Sequence, residues 1–186
     1  MKSSPKSAWN PDRLDARAFA EARGQLQIDT PLSQLPRLRK EADGDNPSLG
    51  TVHWEVAAEM RSGVAGSAAS PWLRLTAQAS LPLTCQRCLG PVETPLEVDR
   101  WFRFVADEAA AEMQDDEAEE DLLALEPRPS LFEVLEDELL MALPLVPLHA
   151  TCPVEVVFKA EDPGAAQDDE VLARKNPFAS LERLKK

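Results

Sequence analysis

Cys85 and Cys88 stand three positions apart in Leu83-Thr84-Cys85-Gln86-Arg87-Cys88-Leu89-Gly90-Pro91, just before a Gly-Pro turn signal. A tight turn with this spacing aims two sulfurs at one point. His149 and Cys152 repeat the spacing with an imidazole in first place. Together they offer three thiolates and one imidazole, the usual closed shell of a structural zinc ion. Zinc held by Cys85, Cys88, His149 and Cys152 is therefore one reading. The gap between the two pairs is not a standard zinc-finger spacing. The other reading keeps Cys85 and Cys152 as small buried apolar residues and His149 as a surface histidine.

Thiol redox chemistry fits less well. A redox C-x-x-C sits at a helix N-terminus, which lowers the thiol pKa. Here Leu89-Gly90-Pro91 leads into a strand pattern instead. Gly-x-Ser-x-Gly, Gly-x-x-x-x-Gly-Lys and His-Glu-x-x-His do not occur, so nucleophilic, P-loop and zincin chemistry lack their motifs. No catalytic residue is assigned.

The elements that must position these residues are legible as alternation and helical spacing. Val52, Trp54, Val56, Ala58 and Met60 share one parity, and His53 shares the other, which sends it toward solvent. Leu73, Leu75, Ala77, Ala79, Leu81, Leu83 and Cys85 share a parity in a second strand, and Val92, Thr94, Leu96, Val98, Phe102 and Phe104 in a third. The connections are too short for parallel crossovers, so an antiparallel meander is expected. A short strand opens at Gln25. A short helix is expected within 13–23, stopped by Gly24.

The strongest helix signal is 130–143. Ser130 and Glu133 form a capping box, Leu131, Leu135, Leu139 and Ala142 make one apolar stripe, and Glu133, Glu136, Asp137 and Glu138 read as the outer face. Pro144, Pro147 and Pro153 then hold the chain extended through His149 and Cys152. The predicted fold is α+β: an antiparallel, strongly curved or barrel-like sheet packed by one main helix, with short N- and C-terminal helices. Residues 1–12 read as disordered, 13–160 as a single domain, 161–175 as an acidic linker and 176–186 as a short helix. A short strand is expected at 155–160.

The 186 residues carry a formal net charge of -13, concentrated in one stretch. Residues 106–138 hold fourteen acids and one base, Arg128, while the rest of the chain is balanced at 19 of each. Within that stretch, 106–126 reads as a disordered acidic loop or frayed helix, because like charges repel and little can be buried. Arg37, Arg39 and Lys40 read as a solvated basic edge, with contact to RNA phosphate as the sharper alternative. The polar start Met1-Lys2-Ser3-Ser4-Pro5 predicts no signal peptide, and no apolar run reaches membrane-spanning length. With an odd count of three cysteines, a reducing, cytoplasmic setting is expected.

Leu83-Thr84-Cys85-Gln86-Arg87-Cys88-Leu89, then Glu136-Asp137-Glu138-Leu139-Leu140-Met141-Ala142-Leu143-Pro144-Leu145-Val146-Pro147-Leu148-His149, then Cys152, then Asn176-Pro177-Phe178-Ala179-Ser180-Leu181 with its basic tail, resemble the YceD family, named for large ribosomal RNA subunit accumulation. The likeness runs from about Leu14 to the end, with the acidic stretch as variable filler. It implies a bacterial, cytosolic, non-enzymatic factor supporting synthesis, processing or stability of 23S ribosomal RNA. The expected partner is an rRNA precursor or a basic ribosomal protein, with no membrane and no small-molecule substrate, and a monomer is expected. The alternative is a zinc-stapled protein-interaction module; a nuclease or thiol oxidoreductase is a remoter one.

Overall fold

The computed structural model describes residues 9–44, 50–62 and 68–154. Met1–Cys152 forms one compact unit, to which everything below belongs. The second, Pro153–Lys186, is described only at Pro153 and Val154, both exposed. The expected strand at 155–160, linker at 161–175 and helix at 176–186 lie outside the described residues, as do residues 1–8.

Five strands form one sheet in the order β1-β2-β3-β4-β5. They are β1 (Gln25–Pro31), β2 (Thr51–Arg61), β3 (Ser70–Thr84), β4 (Pro91–Val105) and β5 (Asp121–Ala124). Adjacent strands of β1–β4 pair antiparallel, as the short connections require, with Trp54 opposite Ala77 and Ala77 opposite Val98. Helix α1 (Ala16–Glu21) precedes β1, and α2 (Pro36–Glu41) lies between β1 and β2. Helix α3 (Glu108–Gln114) joins β4 to β5, and α4 (Leu131–Met141) follows.

Alternation fixes which face is buried. Val52, Trp54, Val56, Leu73, Leu75, Leu81, Leu96 and Phe102 point into one core with Phe19, Leu35, Leu38, Leu131, Leu135 and Leu139 from the helical side. The Trp54 ring meets Phe132 of α4 edge-on at 5.5 Å, and its indole N–H donates to Thr30 Oγ1 at 2.9 Å. That bond satisfies a buried donor that would otherwise be costly. Pro82 pairs only toward β4, because β2 pairing ends at Gln78, so its missing N–H costs the ladder nothing.

The structure corrects the sequence reading in several places. Among the described residues the sheet is mixed and open: β5 runs parallel to β4, and β1 and β5 each have one neighbour, so the barrel-like expectation is not met. The acidic stretch expected to be a disordered loop or frayed helix carries α3 and β5. Two of its acids are paired with arginines of β4, Asp121 with Arg100 and Glu120 with Arg103, and Arg103 also donates to Gln114 at 3.0 Å. Leu123 and Leu125 pack on the core and Ala124 is buried. Parallel pairing supplies backbone bonds that a local count of charges does not reveal. Within 1–12, read as disordered, Trp9 packs edge-on against Phe19 at 5.3 Å and Pro11–Arg13 forms a 3-10 turn.

The outer face assigned to α4 is also wrong in part. Glu136 and Glu138 are buried, at 5% and 7% exposure. Helix α2 begins with Pro36 and has no capping side chain of its own. Glu136 Oε1 accepts from the backbone N–H of Arg37 at 2.6 Å and of Leu38 at 3.1 Å, so α4 caps α2.

Candidate metal centre

The β3–β4 connection builds the knuckle. Pairing ends at Thr84 opposite Pro91, and the Cys85 N–H donates to the Gly90 carbonyl at 2.8 Å. Leu89 N–H donates back to the Cys85 carbonyl at 2.9 Å, and Leu89 takes a left-handed φ of 58°. This closed loop, mounted on the two longest strands, fixes where both sulfurs point.

The second mount is the proline-rich run after α4. Its backbone binds the knuckle directly: Gln86 N–H donates to the Pro147 carbonyl at 2.9 Å, and His149 N–H points at Cys85 Sγ at 3.5 Å. The prolines limit the run to extended conformations, so it lies alongside the loop rather than extending the helix.

These two mounts bring all four residues predicted from sequence together. The donor atoms of Cys85, Cys88, His149 and Cys152 all lie within 4.8 Å of one another. Cys88 Sγ stands 3.4 Å from His149 Nδ1. In a tetrahedral zinc site the sulfur-to-nitrogen edge is about 3.6 Å, from bond lengths of about 2.3 and 2.05 Å. The donor set and its spacing therefore fit zinc. All three cysteines are free thiols.

The electrostatics of the cluster favour anionic sulfur at its centre. Burial pushes the Cys85 thiol up, but the backbone N–H groups of Cys88, His149 and Arg87 and the side chain of His149 outweigh it and bring it down to about 5. A sulfur surrounded by N–H donors is a prepared thiolate. Cys152 moves the other way: burial raises it, and so do hydrogen bonds with Cys88 and Cys85. Within one cluster, the Cys85 thiol is thus pushed toward the thiolate and the Cys152 thiol away from it.

Cys85 is fully buried, and Cys88, His149 and Cys152 are half-buried. Four protein donors would fill a tetrahedral shell and leave no open position, the arrangement of structural rather than catalytic zinc. Leu83 and Leu81 run from the knuckle into the core, so the site adjoins the main packing.

The other residues weighed from sequence lie elsewhere. His53 is on the outer face of the sheet, with Nδ1 2.7 Å from Asp29 Oδ1. Arg37 of the basic edge is engaged by Glu136 and Asp137. No sequence motif marks Glu136 as the acceptor for the start of α2. The missing cap before Pro36 was its only sequence signal.

A family model described as "Large ribosomal RNA subunit accumulation protein YceD" matches residues 73–185. The match begins within β3 and includes the knuckle, α4 and the proline-rich run, while β1 and β2 precede it. A protein of Haemophilus influenzae named "Large ribosomal RNA subunit accumulation protein YceD" is 34% identical over 116 residues. That alignment covers 58% of this chain and 62% of the relative, so the chain spans under two thirds of the relative's length. No solved structure matches the chain at a significant level.

Proposed function

The chain belongs to the YceD family, and from that premise we propose that it is a non-enzymatic factor of large-subunit biogenesis that supports synthesis, processing or stability of 23S ribosomal RNA. The observation that carries the reading is the family match over residues 73–185, which spans the sequence motifs that hold the two mounts. The relative's name ties it to large ribosomal RNA subunit accumulation. Its partner would be an rRNA precursor or a basic ribosomal protein. The setting would be the cytoplasm, where ribosomes are assembled; no helix among the described residues is long and apolar enough to cross a membrane.

The geometry supports binding rather than catalysis. A four-donor shell uses all its ligands to hold the ion. The part assigned to zinc is a staple: Cys85 and Cys88 anchor the β3–β4 loop, and His149 and Cys152 anchor the chain leaving α4. Zinc would tie two segments that contact each other through few backbone bonds.

The test is depletion of the chain in its host, with 23S and 16S rRNA measured separately. A selective fall in 23S, restored by the intact chain, is expected. Unchanged 23S would defeat the reading. Co-purification from lysate then separates the partner classes. A direct RNA contact weakens steeply with salt. RNA that survives high salt and is lost on protease treatment is held through a protein.

A further inference from the structure

The outer face of the sheet is not covered by α1, α2 or α4. Across β1–β4 it forms an open groove of about 720 Å³. Its outward side chains include Asp29 of β1, His53 and Glu55 of β2, and Glu97 and Asp99 of β4. Among the described residues, four carboxylates line it and no lysine or arginine does. The strand register explains the clustering. Glu55 stands opposite Thr76, and Thr76 opposite Asp99, so two acids flank a small residue on neighbouring strands.

The groove already attracts one cation from its margin. Arg74 reaches Asp99 through two bonds, at 2.7 and 2.6 Å, and Glu55 also raises its pKa. The shape is a guanidinium on a paired acid at the rim of a wide acidic trough. Asp29 meets His53 Nδ1 at 2.7 Å and Glu55 accepts from Gln27 Nε2 at 2.9 Å, so these acids already take nitrogen partners from the chain itself.

We propose that this outer sheet face seats an extended lysine- and arginine-rich polypeptide segment of a ribosomal protein, laid across the acids of β1–β4. The proposal rests on the ribosome-biogenesis reading above and names the partner class and the surface. Charge complementarity carries the choice of occupant. Opposite charge steers encounter and raises the on-rate, and the acids present donor-seeking oxygens to ammonium and guanidinium groups. RNA is the poorer fit, because its phosphates would meet four carboxylates, and the Arg74 guanidinium at the rim is already taken by Asp99. Since the acids are solvated, each pair contributes little alone and the contact must be multivalent and salt-sensitive.

The experiment titrates the full chain with a short synthetic peptide alternating arginine and serine, at low and high salt, following backbone amide shifts. Shifts concentrated on the groove residues, and affinity that falls with salt, are expected. The double variant Glu55→Gln, Glu97→Gln should bind about tenfold more weakly. A charge-matched control, Asp116→Asn with Glu117→Gln, should bind as the parent does. Equal losses in both variants would reduce the effect to net charge and overturn the surface assignment. So would shifts confined to other faces, or a single-stranded oligouridylate that shifts the groove amides when the peptide does not. Failure of the underlying reading is read separately: 23S levels that ignore depletion of the chain defeat it whatever the peptide does.

Discussion

Glu136 accepts from Arg37 twice: through Oε1 from the backbone N–H at 2.6 Å, and through Oε2 from the guanidinium at 2.9 Å. One carboxylate thus caps the helix containing Arg37 and pairs with its side chain. The two residues lie 99 positions apart, so the contact ties the N-terminal third of the chain to the helix before the metal-site run. It also occupies Arg37, one of the three basic residues weighed for an RNA contact.

Glu136→Ala should lower stability by about 2–4 kcal/mol, because two helix N–H groups lose their acceptor in a largely buried place. Glu136→Gln keeps one carbonyl acceptor and should cost about 1 kcal/mol. Urea denaturation of both variants checks the difference. A loss under about 0.5 kcal/mol for the alanine variant would mean that the cap contributes nothing beyond a surface residue.

Glu138 gives a pH test. Burial raises its pKa above the usual 4.5, against the lowering effect of Arg100 at 3.6 Å, with Asp121 and Asp137 adding to the rise. A raised carboxyl pKa means that the folded state disfavours the charge. Its stabilising contribution is present below pH 4.5 and lost as pH rises through the folded value. Glu138→Gln should therefore raise the melting temperature at pH 7 by about 1–3 °C. Below pH 4.5 the two proteins should converge. A Glu138→Gln protein that melts lower at pH 7 would show that the Arg100 contact outweighs burial.

Metal analysis of the purified chain should find one zinc per molecule, and Cys88→Ser should abolish it. Chelation should lower the melting temperature by several degrees without erasing the strand signal in circular dichroism. The reason is that Phe19, Trp54, Leu75, Leu96 and Leu135 pack without help from the site. Zinc uptake should release protons, since thiols must deprotonate to bind. Absence of zinc, together with unchanged melting after chelation, would remove the staple.

Two backbone positions should respond oppositely. Leu89 is a non-glycine residue at φ 58° and is exposed. Leu89→Gly should remove about 1 kcal/mol of left-handed strain and leave net stability level or slightly higher. At Gly24, a Cβ would stand 2.0 Å from Phe19 Cε2. Gly24→Ala should cost about 1–3 kcal/mol by overpacking. Thermal melts of the pair settle both.

Much of this protein was determined by its sequence alone. Period-two alternation from Val52 to Met60 and from Leu73 to Leu83 set the strands and their buried faces, because one shifted residue would turn each face outward. Ser130 and Glu133 marked the start of α4, and Ser130 Oγ accepts the Glu133 N–H at 3.4 Å. The type and spacing of Cys85, Cys88, His149 and Cys152 named the donor set. Only the tertiary structure decided that the two pairs meet, since the Gln86-to-Pro147 backbone bond joins segments far apart along the chain. It also decided that Glu136 faces inward and that Leu122-Leu123-Ala124-Leu125 lies beside β4. Charge in sequence measures hydration only when nothing distant answers it; here arginines from other elements answer Glu136, Glu120 and Asp121, so a buried carboxylate and an acidic strand are tolerated.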